Sequence, residues 1–69
     1  MWIRSQDGMS LVNCNWVAFN NSKKIFGDFD GVGEGFMLGE YSTEERAIEV
    51  LDEIESVIGS LLIYHMPKE

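Results

Sequence analysis

One cysteine in a chain of 69 residues decides much of what this sequence can become. A core built from so few residues seldom stabilises a domain unaided, and chains of this size usually add disulfides, a structural metal or a partner subunit. Cys14 is the only cysteine, so no disulfide can form within the chain. A closed zinc site wants four ligands, and Cys14 and His65 are the only thiol and imidazole, far apart in sequence. An efficient core or self-association remains. Apolar residues make up 45% of the chain, enough material for either.

The clearest local element is a helix over residues 43–58. Ser42-Thr43-Glu44-Glu45 reads as a capping box, with Ser42 accepting from the Glu45 backbone N–H and the Glu45 side chain returning the bond. The acids in this first turn suit the positive end of the helix dipole. Ala47, Val50, Leu51, Ile54, Val57 and Ile58 then recur at spacings of three and four, one apolar stripe. Gly59 can stop the helix in the left-handed conformation. Residues 60–66 form either a short C-terminal strand ended by Pro67 or a continuation of the helix through Leu61 and Leu62. The strand is the reading adopted.

Strand patterns fill the first part of the chain. Residues 2–6 alternate, Asp7-Gly8 is a hairpin turn, and residues 9–14 alternate again. Residues 16–19 continue with aromatic and β-branched side chains, and Asn13-Cys14-Asn15 marks a bulge or a break. Asn20-Asn21-Ser22 is a second turn. It matches a glycosylation sequon, but in a cytoplasmic chain it serves only as a turn. Residues 23–29 make a third strand, the glycine-rich stretch 30–35 a loose connection, and residues 36–41 a fourth strand. The expected fold is therefore α+β and a single domain over residues 1–69: an antiparallel four-stranded meander followed by one amphipathic helix.

One helix covers one face of such a sheet. Both faces carry large apolar groups: Trp16 and Ala18 against Val17 and Phe19, Phe36 and Leu38 against Met37 and Tyr41, Ile25 and Phe29 against Phe26. The uncovered face is expected to act as an interaction surface, with a homodimer the favoured assembly.

Charge narrows the function. Twelve acidic residues against five basic ones leave a net charge of −7. Nucleic-acid affinity comes largely from Lys and Arg on phosphate, so this balance disfavours nucleic acid unless the cations cluster. Arg4, Lys23 and Lys24 beside Trp2, Trp16 or Phe19 are the one set that could stack on and neutralise a single strand. Glu49, Asp52, Glu53 and Glu55 form an acidic helix face suited to a solvated surface or a protein contact. The N-terminal residues carry no signal-peptide pattern, and apolar runs such as residues 61–64 are too short to span a membrane, which points to the cytoplasm.

Signs of catalysis are weak. The stretch Gly31-Val32-Gly33-Glu34-Gly35 fits neither the dinucleotide fingerprint nor the P-loop, since it leads into a strand and lacks the following Lys. Asp28, Asp30 and Glu34 do not keep the spacing of a calcium loop. His65 has no nucleophile motif to serve, and Cys14 in a strand reads as a buried structural thiol. No cofactor, metal or catalytic residue is expected, and the chain is not read as an enzyme.

Several segments carry a resemblance. Residues 2–7, Trp-Ile-Arg-Ser-Gln-Asp, and residues 38–47, Leu-Gly-Glu-Tyr-Ser-Thr-Glu-Glu-Arg-Ala, continue through Val50-Leu51-Asp52-Glu53-Ile54 and close with Tyr64-His65-Met66-Pro67. Together they resemble short proteins of phages, prophages and mobile elements of low-GC Gram-positive bacteria, a group without an agreed activity. Four strands followed by a helix is also similar in topology to the dimeric single-stranded-DNA-binding transcription-cofactor fold of the whirly and positive-cofactor-four-like proteins. It is similar, too, to some small phage proteins that interfere with bacterial defence. The acidic helix face, the surplus apolar sheet face and the absence of a catalytic site favour a non-enzymatic module that binds a host or phage protein, and the resemblance implies a phage or mobile-element setting with inhibition of a defence system as one such role. The alternatives are a dimeric single-stranded nucleic-acid-binding protein and a sponge that holds a small anionic nucleotide between subunits.

Overall fold

The computed structural model describes residues 1–20, 23–30 and 35–69. The elements in chain order are β1 (Trp2–Arg4), β2 (Leu11–Asn13), β3 (Trp16–Phe19), β4 (Lys24–Asp28), β5 (Phe36–Glu40), α1 (Glu44–Ser56) and β6 (Tyr64–His65). The chain is α+β as expected, but the strands do not form one four-stranded meander. They build two three-stranded sheets, ordered β2-β1-β6 and β3-β4-β5. The second turn at Asn21 and Ser22, and the glycine-rich connection with Glu34, lie outside the described residues.

The break comes where the sequence carries Asn13-Cys14-Asn15. The Cys14 N–H donates to the Met1 carbonyl at 2.7 Å, still within the first sheet. The Asn15 N–H donates to the Asp28 carbonyl at 2.8 Å, already in the second. The chain thus changes partners between adjacent residues. The hairpin before it closes at Asp7-Gly8 as expected: Gly8 has φ +75°, and β1 pairs antiparallel with β2, Ile3 opposite Val12. Ser5 Oγ donates to Asp7 Oδ1 at 2.6 Å and the Met9 N–H adds a second bond to the same oxygen. These bonds hold the Asp7 carboxyl below its ordinary pKa.

A second junction knits the sheets together. Gln6, just past β1, donates its N–H to the Leu38 carbonyl at 2.8 Å. Its side chain donates to the Glu40 carbonyl and accepts from the Glu40 N–H, both at 2.9 Å. The free edge of β5 is therefore occupied by β1's own extension. The sheets close on each other, and their inner faces meet in a core of Ile3, Ile25, Leu38, Tyr41 and Met66 with Ala47, Val50 and Ile54 from the helix. The helix packs on β3 and β4. The helix and the first sheet cover the inner face of the second sheet, while its outer face, with Trp16, Ala18, Phe26 and Met37, keeps apolar groups part-exposed.

The β5 alternation also differs from expectation. Ile25 pairs with Gly39 and Phe26 with Met37, so Leu38 is an extra residue in the strand. This bulge turns Leu38 inward to 1% exposure, while Phe36, its expected companion, stays half-exposed with Met37.

Residues 60–66 do end in a strand. β6 pairs in parallel with β1, Ile3 opposite Tyr64. The helix begins one residue later than the capping box implied. Thr43 is the N-cap, its hydroxyl accepting from the Arg46 N–H at 3.0 Å, so the reciprocal Ser42–Glu45 pair is not formed. The helix ends at Ser56 with Val57 as its C-cap, two residues short of the expected end at 58, and Gly59, with φ +91°, lies in the turn beyond it.

Thr43→Ala should cost about 1 kcal/mol in chemical denaturation and Ser42→Ala much less; the reverse order would place the cap at Ser42. A Cβ at Gly27 would lie 2.7 Å from Cys14 Sγ and 2.9 Å from Leu38 Cδ1. Gly27→Ala should therefore destabilise by about 1–3 kcal/mol. Adding Cys14→Ala should recover part of that loss, and strict additivity in the double-mutant cycle would show that the two do not touch.

Candidate functional site

Four exposed aliphatic residues gather where the chain leaves the helix. Leu61 is 102% exposed, Leu62 78%, Ile58 68% and Ile63 46%. Burying an aliphatic side chain of this size is worth about 1.5–3 kcal/mol, so a contiguous group of four leaves a large gain unrealised in the free chain. Residues 56–67 carry no Asp, Glu, Lys or Arg, in a chain of net charge −7.

This ridge is held out by fixed ends. On one side is the helix, whose Ile54 and Val50 are buried. On the other, Tyr64 sits in β6 and donates its hydroxyl to Glu53 Oε1 at 2.8 Å. Met66 comes next but one, buried, with its N–H on the Arg4 carbonyl at 3.1 Å. The tail beyond is strapped down: Tyr41 OH donates to the Pro67 carbonyl at 2.7 Å, Gln6 Nε2 to the Lys68 carbonyl at 2.9 Å and Arg46 to the Glu69 carbonyl at 3.0 Å. The ridge is thus the crossing between two anchored elements.

Beside it lies a hollow of about 660 Å³. Val17, Leu51 and Ile54 give it an apolar floor, Ile58 forms the wall shared with the ridge, and the exposed Asp52 and Glu55 stand at its mouth. The Met1 amino group, which donates to the Cys14 carbonyl at 3.0 Å, borders it too.

The acidic face expected from the sequence is divided by the structure. Glu49 and Glu53 both face Arg46, at 3.2 and 3.7 Å, and Glu53 also holds Tyr64. They serve the fold. Asp52 and Glu55 form no ion pair among the described residues, and these two flank the hollow.

The expected cationic surface is only half assembled. Lys24 and Trp16 share the outer face of the second sheet with Phe26 and Ala18. Lys24, however, stands opposite Glu40 and Trp16 opposite Asp28, so carboxylates interleave with the aromatics. Arg4 is in the other sheet and donates to the Gly8 carbonyl at 3.1 Å. Lys23 lies exposed before β4 with φ +65°. Phosphate would meet as many negative groups as positive ones here. The carboxylates at the mouth of the hollow likewise disfavour an anionic nucleotide.

No family model, curated protein or solved structure matches this chain. The site is therefore argued from its own chemistry. Among the described residues no three His, Cys, Asp or Glu side chains are grouped to hold a metal ion, and no helix is long and apolar enough to cross a membrane. Cys14 is buried against the core, and desolvation pushes its thiol above the ordinary value, which suppresses the reactive thiolate.

Both tyrosines that anchor the C-terminal segment titrate late. Burial pushes Tyr41 up from 10.0 to about 12. Burial, and then the hydrogen bond and charge of Glu53, raise Tyr64 as well. A phenol raised in the fold contributes stability that is complete below its unfolded value of 10.0 and is lost as pH rises through about 12. In a spectrophotometric titration the native chain should show little tyrosinate at pH 10, with alkaline unfolding accompanying its appearance at higher pH. Two phenols titrating at the ordinary value would show that the strap is not formed.

Proposed function

We propose that this chain is a non-enzymatic protein-interaction module, docking through the ridge of Ile58, Leu61, Leu62 and Ile63 and the hollow beside it. The observation that carries this reading is the full exposure of Leu61 within a run that bears no formal charge. An apolar surface of this kind gains by contact with protein and offers nothing to phosphate. Asp52 and Glu55 add a charged rim to an apolar centre, the arrangement common to protein interfaces. The proposed setting is that of the phage and mobile-element proteins which the terminal and central segments resemble, with inhibition of a host defence system as the outcome of binding.

The test places a photoreactive phenylalanine analogue at position 62 in the producing cell, and at position 44 as a control at the far end of the helix. Irradiation should give protein adducts at position 62 well above those at position 44. Equal yields at the two positions would remove the ridge as an interaction surface.

A further inference from the structure

We infer that the first occupant of this surface is a second copy of the same chain, the two ridges seating reciprocally in each other's hollows. The inference rests on the reading of the ridge as a protein-docking surface and names its partner.

The ridge is convex and the hollow concave, and they are neighbours: Ile58 belongs to both. When a knob and its socket adjoin, a two-fold axis between them lets each copy insert Leu61 and Leu62 into the other's hollow. The contact is then isologous and closed, so association stops at a pair. The hollow, about 660 Å³, is within the size that holds small ligands, and two leucine side chains fit within it.

Charge is compatible with the same surface. Two copies of a chain with net charge −7 repel each other over most approaches. The α1 surface carries exposed acids from Glu44 to Glu55. Residues 56–67, like residues 8–22, bring no charge to the encounter, so like molecules can meet at the ridge with little repulsion. The rim carboxylates Asp52 and Glu55 then face a neutral ridge from the partner. Area is consistent with this: a standard interface takes about 800 Å² from each partner, roughly a sixth of the 4549 Å² this chain exposes. Four large side chains at 46 to 102% exposure and the adjoining hollow supply area on that order.

The pair also answers the size constraint. With no disulfide within the chain, a partner subunit can add to the stability that the chain's own small core provides.

The test is the mass of the purified full chain by sedimentation and light scattering across a concentration series. The wild type should reach twice the mass of one chain. The ridge variant Leu61→Ser with Leu62→Ser, and the hollow variant Leu51→Glu, should each weaken the pair by on the order of a hundredfold, with circular dichroism confirming that both remain folded. Mixing the two variants restores one intact ridge-in-hollow contact and should recover part of the dimer. Raising salt should tighten the pair by screening the rim carboxylates.

A wild type that stays monomeric would overturn the second copy as occupant. So would a dimer indifferent to both variants, or a mixture without recovery. The photoadducts at position 62 separate this failure from that of the underlying reading. Adducts to a different protein with a monomeric chain would leave the docking surface standing, whereas no adducts and no dimer would remove both.

Discussion

The fold turns on the change of partner between Cys14 and Asn15. One N–H belongs to the first sheet and the next to the second, so a single extended segment serves both. Had residues 11–19 run straight, the strands would have formed one open sheet with an uncovered apolar face. The bend lets the two halves close, and Gly27 makes the closure possible. It lies under Cys14 and Leu38, where a side chain would push the sheets apart. Gln6 then seals the opposite junction by taking up the backbone groups of β5. An edge that could template aggregation is occupied, and a very short chain gains a core with contributions from both sheets and the helix.

Features set by nearby residues were legible in the sequence. The turn at Asp7-Gly8 and the apolar helix stripe through Ala47, Val50 and Ile54 depend on local conformational preference and spacing, and both are where their residues placed them, although the helix ends at Ser56, before Gly59. Features set by distant residues were not. The Leu38 bulge depends on the register of β5 against β4, and alternation within one strand carries no information about an extra residue. The parallel pairing of β6 with β1 depends on where the helix delivers the chain. The cap was misplaced by one residue for a related reason. Ser42 and Thr43 can both cap, and the residue three positions on differs, a Glu for Ser42 and an Arg for Thr43. Glu45 made Ser42 attractive, yet Tyr41 must turn inward and bond Pro67, and the helix starts after that constraint is met.

The candidate surface was partly legible. Glu49, Asp52, Glu53 and Glu55 read alike as acids on one helix, but the fold sorts them by neighbour. Arg46 one turn away and Tyr64 from the next element engage Glu49 and Glu53, leaving Asp52 and Glu55 at the hollow. The ridge itself had no such signal. Residues 56–67 are an uncharged stretch, but residues 8–22 are one too, so neutrality alone did not mark the ridge; the exposure of Leu61 and Leu62 does.

Exposure of the ridge is a consequence of how the core is completed. The helix ends beside the second sheet, whereas Tyr64 and Met66 are needed at the first, where β6 lines β1 and Met66 fills the core. The chain must cross from one sheet to the other, and the crossing is residues 57–63. Folding this segment back would withdraw Met66 and break the Tyr64–Glu53 bond, exchanging buried surface in the core for buried surface at the rim. The free chain therefore holds its core and presents the crossing. The apolar character of Ile58, Leu61, Leu62 and Ile63 is not demanded by the crossing itself, for which polar residues would serve as well. What distinguishes them is the gain available when another surface covers them. That gain is what the proposed docking surface would draw on.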